Sequence, residues 1–83
     1  MSPELETLDQ LLGGSLPVPV VRDIFGDVNR FLRAVQAMLN DEEVRLVGRD
    51  GSEIPRWRIR EVLTATESDA RLDITARGAQ RIG

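Results

Sequence analysis

The sequence predicts an α+β domain in which a unit of three helices is followed by a β-hairpin. Three observations support this fold class: apolar residues recur at helical spacing as far as Leu39, they alternate with polar residues beyond it, and an Asp50-Gly51 turn signal divides the alternating part. A chain of 83 residues with 41% hydrophobic residues can form one small core. We therefore expect a single domain over residues 1–83, in which residues 67–83 are a candidate for a loosely ordered C-terminal segment.

The first two helices are predicted mainly from their boundaries. Ser2-Pro3 combines a good N-cap with a residue that suits the first helical position, and Gly13-Gly14 ends the helix. Pro17 and Pro19 favour an extended link, because each disfavours helical geometry in the residue before it. A second helix then begins at Pro19 and ends at Gly26. The apolar residues of these two helices are Leu5, Leu8, Leu11, Leu12, Val20, Val21, Ile24 and Phe25.

The third helix has the clearest pattern in the chain. Asp27 is its N-cap, Asn40-Asp41 closes it, and one continuous apolar stripe runs along it between these residues. The stripe consists of Val28, Phe31, Leu32, Val35, Met38 and Leu39. We expect burial of a core made of Phe31, Leu32, Val35, Leu39, Leu46 and Trp57.

The hairpin is predicted from alternating residues on either side of Asp50-Gly51. The second strand covers residues 54–60, as an edge or bulged strand because of Pro55. In a strand, Arg56, Arg58 and Arg60 share one face, while Trp57 and Ile59 share the other, so Trp57 is expected in the core. Residues 61–66 fit a strand or a helical turn equally. A short third strand is possible at residues 72–75, before a frayed or weakly helical tail.

The composition excludes several kinds of chemistry. The chain has no Cys, His, Tyr or Lys, and its basic residues are 11 arginines. Zinc sites, thiol chemistry and imidazole catalysis are therefore absent, and the acidic run Asp41-Glu42-Glu43 lacks the spacing of a calcium loop. We expect no enzyme activity, no metal and no cofactor. There is no apolar run that would span a membrane and no signal-peptide pattern, so we expect a cytoplasmic location and no membrane partner.

The order of the predicted elements resembles the winged helix-turn-helix superfamily. A helix, an extended link, a Pro-started helix, a tight turn at Gly26-Asp27, a longer helix and a Gly-turned hairpin follow one another over about residues 3–60. In DNA-binding members of the superfamily, the third helix enters the major groove and the wing contacts the backbone. The resemblance therefore implies DNA contacts from the third helix at Asn29, Arg30, Arg33 and Gln36, and from the wing at Arg49, Arg56 and Arg58, with Arg45 as an alternative to Arg49.

Two functions remain open from the sequence. The first is a DNA-binding transcriptional regulator whose partner is double-stranded DNA, and the second is a winged-helix module for contact with another protein. The net charge of −3 favours a protein partner, but residues 1–29 sum to −4 and residues 30–83 to +1, with clustered arginines that favour DNA. Arg30 and Arg33 fit a solvated helix face as well as a DNA contact. No heptad pattern is present, so we expect a monomer and leave a dimer open.

Overall fold

The computed structural model describes residues 2–65 and 67–82, so expectations that fall on Met1, Thr66 or Gly83 lie outside the described residues. The architecture is α+β, as the sequence predicts. The helices of the described ranges are α1 (Pro3–Leu11), α2 (Val18–Phe25), α3 (Val28–Asn40), α4 (Ile59–Thr64) and α5 (Ala76–Ile82), together with a 3₁₀ helix at Arg56–Arg58. The strands are β1 (Leu16–Pro17), β2 (Val44–Val47) and β3 (Arg71–Ile74).

The first three helices begin and end close to the residues that the sequence indicates. The Ser2 hydroxyl accepts a hydrogen bond from the Leu5 N–H at 3.2 Å, which caps α1. Asp27 caps α3 by accepting from the N–H groups of Asn29 and Arg30. Gly26 ends α2 in the left-handed conformation, with φ 75°, which glycine adopts without a steric penalty. The predicted three-helix unit is therefore confirmed.

The three strands form one antiparallel sheet with the order β1-β3-β2. The central strand is β3, whose Leu72 lies opposite Leu16 of β1 on one side and Leu46 of β2 on the other. The short third strand that the sequence allows at residues 72–75 is therefore present, shifted by one residue to Arg71–Ile74, and both other strands pair with it. Residues 67–82, which the sequence suggested as loosely ordered, contain this strand and α5.

The predicted turn at Asp50-Gly51 is present, but the strand predicted at residues 54–60 is wrong. The Gly48 N–H donates to the Ser52 carbonyl at 2.8 Å, and the Ile54 N–H donates to the Leu46 carbonyl at 2.9 Å. The returning arm stops there, because Pro55 has no N–H to extend the ladder and its geometry suits the residue before a helical turn. The chain then enters the 3₁₀ helix and α4 instead of a strand.

This change of structure removes Trp57 from the core. Its side chain is 79% exposed, whereas Val62 and Leu63 of α4 are buried in its place. The predicted core residues Phe31, Val35 and Leu46 are buried, and Leu32 and Leu39 are only partly buried. Phe25 packs edge-to-face on Phe31, with 6.0 Å between the ring centroids. The core is therefore mostly aliphatic, built from α1, α2, α3, α4 and the sheet.

The side chain of Arg22 fixes α4 to the rest of the domain. The Arg22 guanidinium of α2 lies over the Phe31 ring, 5.6 Å from its centroid. It also donates hydrogen bonds to the Leu63 carbonyl at 2.7 Å and the Ala65 carbonyl at 3.0 Å. A cation at the C-terminal end of a helix satisfies carbonyls that have no partner within the helix. Arg22 therefore joins α2, α3 and α4.

Candidate nucleic-acid interface

The polar face of α3 carries most of the residues that the resemblance assigned to DNA. Asn29, Arg33, Gln36 and Asn40 are spaced by four, three and four residues, so they lie along one line of the helix. Gln36 is half-buried and the other three are exposed. We call these four polar residues the α3 stripe; they are distinct from the apolar residues that the same helix turns toward the core. The helix contains no acidic residue, and its 13 residues make the stripe about 20 Å long.

The C-terminal end of the α3 stripe is connected to the segment Arg56–Arg60. Arg56 Nη2 donates a hydrogen bond to Asn40 Oδ1 at 2.9 Å. A shallow hollow of about 160 Å³ lies beside this bond, with Gln36 and Arg60 among its walls. The structure thus places the predicted residues Gln36 and Arg56 at one surface, although Arg56 reaches it from a 3₁₀ helix and not from a strand.

The opposite flank of α3 is electrostatically mixed. Arg30 and Arg33 line a hollow of about 670 Å³, and its remaining charged walls are Glu4, Asp27, Asp41, Glu43 and Arg81. Glu43 is only 8% exposed, and both of its carboxylate oxygens accept hydrogen bonds from Arg81 Nη1, at 2.7 and 2.9 Å. The other acids oppose a bound anion on this side. Both arginines of α3 therefore line this mixed hollow, whereas the hollow beside Arg56 and Arg60 has no acidic residue among its described walls.

The predicted wing residues Arg49 and Arg58 are both exposed, and within the described residues no hydrogen bond or ion pair joins either of them to the α3 stripe. Arg49 lies at the hairpin turn beside Asp50, whose carboxylate accepts from the Ser52 N–H and hydroxyl. These two bonds hold the pKa of Asp50 below its ordinary value, so a negative charge stands next to Arg49.

A second groove places further arginines near Arg56. Arg45, Arg56 and Arg77 lie among the walls of this groove, which has a volume of about 700 Å³ and also contains Glu42 and Glu53. The sequence predicts Arg45 only as an alternative to Arg49, and it does not assign Arg60 or Arg77 to the site. The four-residue interval between Arg56 and Arg60 is a helical spacing that would have identified Arg60.

Within residues 2–65 and 67–82, no group of three or more Asp or Glu side chains is placed to hold a metal ion. None of the helices in this described part of the chain is both long and apolar enough to cross a membrane. No protein-family model, curated protein or solved structure matches the chain.

Proposed function

We propose that the chain is a winged helix-like, non-enzymatic regulator that binds double-stranded DNA through the α3 stripe and the arginines of the segment Arg56–Arg60. The observation that carries this proposal is the bond from Arg56 to Asn40, which makes an acid-free helix face continuous with a cluster of arginines. The order α1, β1, α2, the turn at Gly26-Asp27, a longer α3 and the antiparallel strands β2 and β3 supports a winged-helix arrangement.

The side chains of the α3 stripe are suited to reading base edges. Arginine pairs with the O6 and N7 atoms of guanine, and asparagine and glutamine pair with the N6 and N7 atoms of adenine. Arg33 and Asn29 are exposed and free to make such pairs within a major groove about 12 Å wide. Asn40 already accepts from Arg56, so its role is to position the Arg56 guanidinium for a phosphate.

The acidic residues restrict where DNA lies but do not prevent binding. Charges more than about 8–10 Å from a contact are largely screened at physiological salt. Glu4, Asp27 and Asp41 line the same hollow as Arg30 and Arg33, and Arg81 pairs with Glu43. We therefore place the DNA backbone on the side of Arg56 and Arg60, where the hollow beside α3 has no acidic wall among the described residues.

Fluorescence anisotropy of a labelled duplex, titrated at several salt concentrations, tests this proposal. With about four phosphates contacted, log K falls against log salt with a slope near −3.6. Arg56→Ala should weaken binding to all sequences and reduce this slope by about one. Arg33→Ala should instead reduce discrimination between sequences, by about 1–3 kcal/mol if it pairs with guanine.

Arg71→Ala is the matched control, because Arg71 is exposed on β3 and bonds to Ser15 near the far edge of the sheet. It removes the same charge but should leave the slope unchanged. Absence of binding at about 50 µM protein in low salt, a concentration at which non-specific DNA binding is normally detected, would remove the proposal.

Contact with another protein is the second candidate function, and the exposed side chain of Trp57 favours it. Tryptophan and arginine are the residues most often found at the energetic centre of protein interfaces. The segment Arg56–Arg60 contains both, and the net charge of the chain is −3. A failed DNA titration would leave this function as the leading explanation of the same surface.

A further inference from the structure

Trp57 is the most exposed large hydrophobic side chain among the described residues, at 79%, and it is the only tryptophan of the chain. A buried indole would remove a large apolar area from water, yet here that area is left in contact with solvent. The part of this segment that packs into the core is α4, whose apolar face is formed by Val62 and Leu63. The Trp57 side chain lies outside that face. The indole is therefore available to an external ligand.

The surroundings of Trp57 restrict the chemistry of that ligand. Arg56 and Arg58 are its neighbours in the 3₁₀ helix, and Arg60 follows three residues later, a spacing that places two side chains on the same side of a helical turn. Glu61 is the single acid between residues 56 and 64. An aromatic face among guanidinium groups matches a polyanion that carries flat rings at regular intervals. Single-stranded nucleic acid has this chemistry.

We propose that Trp57 stacks on an unpaired nucleobase while Arg56, Arg58 and Arg60 contact the adjoining phosphates, so that the preferred ligand is DNA in which a duplex meets a single-stranded extension. This rests on the proposed function, in which the α3 stripe binds the duplex part. In a closed duplex every base is already stacked, and inserting a side chain requires unstacking. An unpaired base offers its face without that cost. The bond between Arg56 and Asn40 locates the single strand at the C-terminal end of α3.

The composition of the chain provides a direct readout. Because there is one Trp and no Tyr, fluorescence excited at the red edge of indole absorption reports only Trp57. We would titrate the protein with a short blunt duplex and with the same duplex carrying a thymidine extension at one end. The emission should be quenched by the extended DNA and change little with the blunt DNA. Binding itself is followed in parallel by the anisotropy of labelled DNA.

Three variants separate stacking from charge. Trp57→Ala should weaken binding to the extended DNA by about 5- to 150-fold, the usual range for loss of one stacked base, and leave binding to the blunt duplex unchanged. It should not alter the salt slope, because no charge is removed. Trp57→Phe should recover part of the affinity. Leu12→Ala, at an exposed apolar residue just beyond α1, should bind both DNAs like the parent.

The outcomes distinguish this inference from the proposal on which it rests. Equal affinity for both DNAs, with unchanged emission and no effect of Trp57→Ala, would overturn stacking but leave duplex binding in place. Binding to neither DNA would overturn both. A change of emission with anionic phospholipid vesicles and none with either DNA would also overturn it, since the ligand would then be a lipid surface. Circular dichroism of Trp57→Ala should match the parent, because the side chain is outside the core.

Discussion

Gly78 of α5 lies against the backbone of Glu43, and its replacement by alanine should destabilise the domain strongly. A Cβ atom at this position would stand 2.1 Å from the Glu43 carbonyl oxygen and 3.0 Å from Ile74 Cγ1. Non-bonded heavy atoms normally approach to about 3.5 Å. The first of these neighbours is backbone and cannot rotate away. In Gly78→Ala, α5 therefore has to withdraw from the Glu43 backbone by more than about 1 Å.

The magnitude follows from the contacts that such a withdrawal breaks. The Thr75 N–H donates to the Glu43 carbonyl at 3.1 Å, and Arg81 pairs with the buried Glu43 carboxylate at 2.7 Å. Overpacking costs about 1–3 kcal/mol, and loss of a hydrogen bond to a buried charged group adds to it. The Arg81 side chain is partly exposed, so its share is small. We expect a total of about 3 kcal/mol, which lowers the melting temperature by about 12–24 °C in a domain of this size.

Thermal denaturation followed by far-ultraviolet circular dichroism measures this change, and Gly13→Ala is its matched control. A Cβ at Gly13 would meet the Gln10 carbonyl oxygen at 3.5 Å, which is an ordinary contact. That variant should melt within a few degrees of the parent, since surface substitutions without a clash change stability by no more than about 0.5 kcal/mol. If Gly78→Ala melted like Gly13→Ala, the close approach of α5 to Glu43 would be refuted.

Arg22, Leu63 and Asp50 provide three further tests of the fold. Arg22→Met removes two hydrogen bonds to carbonyls at the end of α4 and should cost about 2 kcal/mol in urea denaturation; a value near zero would contradict the role of Arg22 in fixing α4. Leu63→Ala, at a fully buried residue, should cost about 2–5 kcal/mol, and Leu32→Ala, at a half-buried one, clearly less; the reverse order would refute the burial of Leu63. The hydrogen bonds from Ser52 lower the pKa of Asp50, so they stabilise the turn above the ordinary aspartate pKa, and this stabilisation is lost as the pH falls through the lowered pKa. The NMR chemical shift of the Ser52 amide should therefore change with pH as the Asp50 carboxylate titrates, and this change should be absent in Asp50→Asn.

The three-helix unit was predictable because its signals are local. Caps at Ser2 and Asp27 and the glycine at the end of α2 act within a few residues of the helices they bound. The position of β3 at the centre of the sheet was not predictable in the same way. Its partners β1 and β2 are distant in sequence, and β1 has only two residues, so pairing depends on tertiary contacts that no local pattern contains.

The segment after Pro55 was misassigned because its residues fit two periods. Arg56, Arg58 and Arg60 alternate as in a strand, while Ile59, Val62 and Leu63 have the spacing of a helix. The helical pattern prevails, since it buries the two later residues and Pro55 ends the hairpin ladder. The exposed face of α3 was predictable because it follows from the spacing of residues along one confirmed helix. The sequence predicts a buried Trp57 because a strand alternation places it opposite the arginines, whereas in the helical segment its side chain is exposed.

The segment that carries Trp57 is exposed, but it leads directly into α4, whose Val62 and Leu63 are buried in the core. Residues 48–70 connect two neighbouring strands, β2 and β3, that a tight turn alone would have joined. The connection is anchored at its end by the buried residues Val62, Leu63 and Ala70 and by the Arg22 contacts to α4. Ordering a loop on binding costs free energy that a preformed surface does not lose. Arg56 is therefore already hydrogen-bonded to Asn40 of α3 before any ligand arrives, as the proposed DNA contact requires.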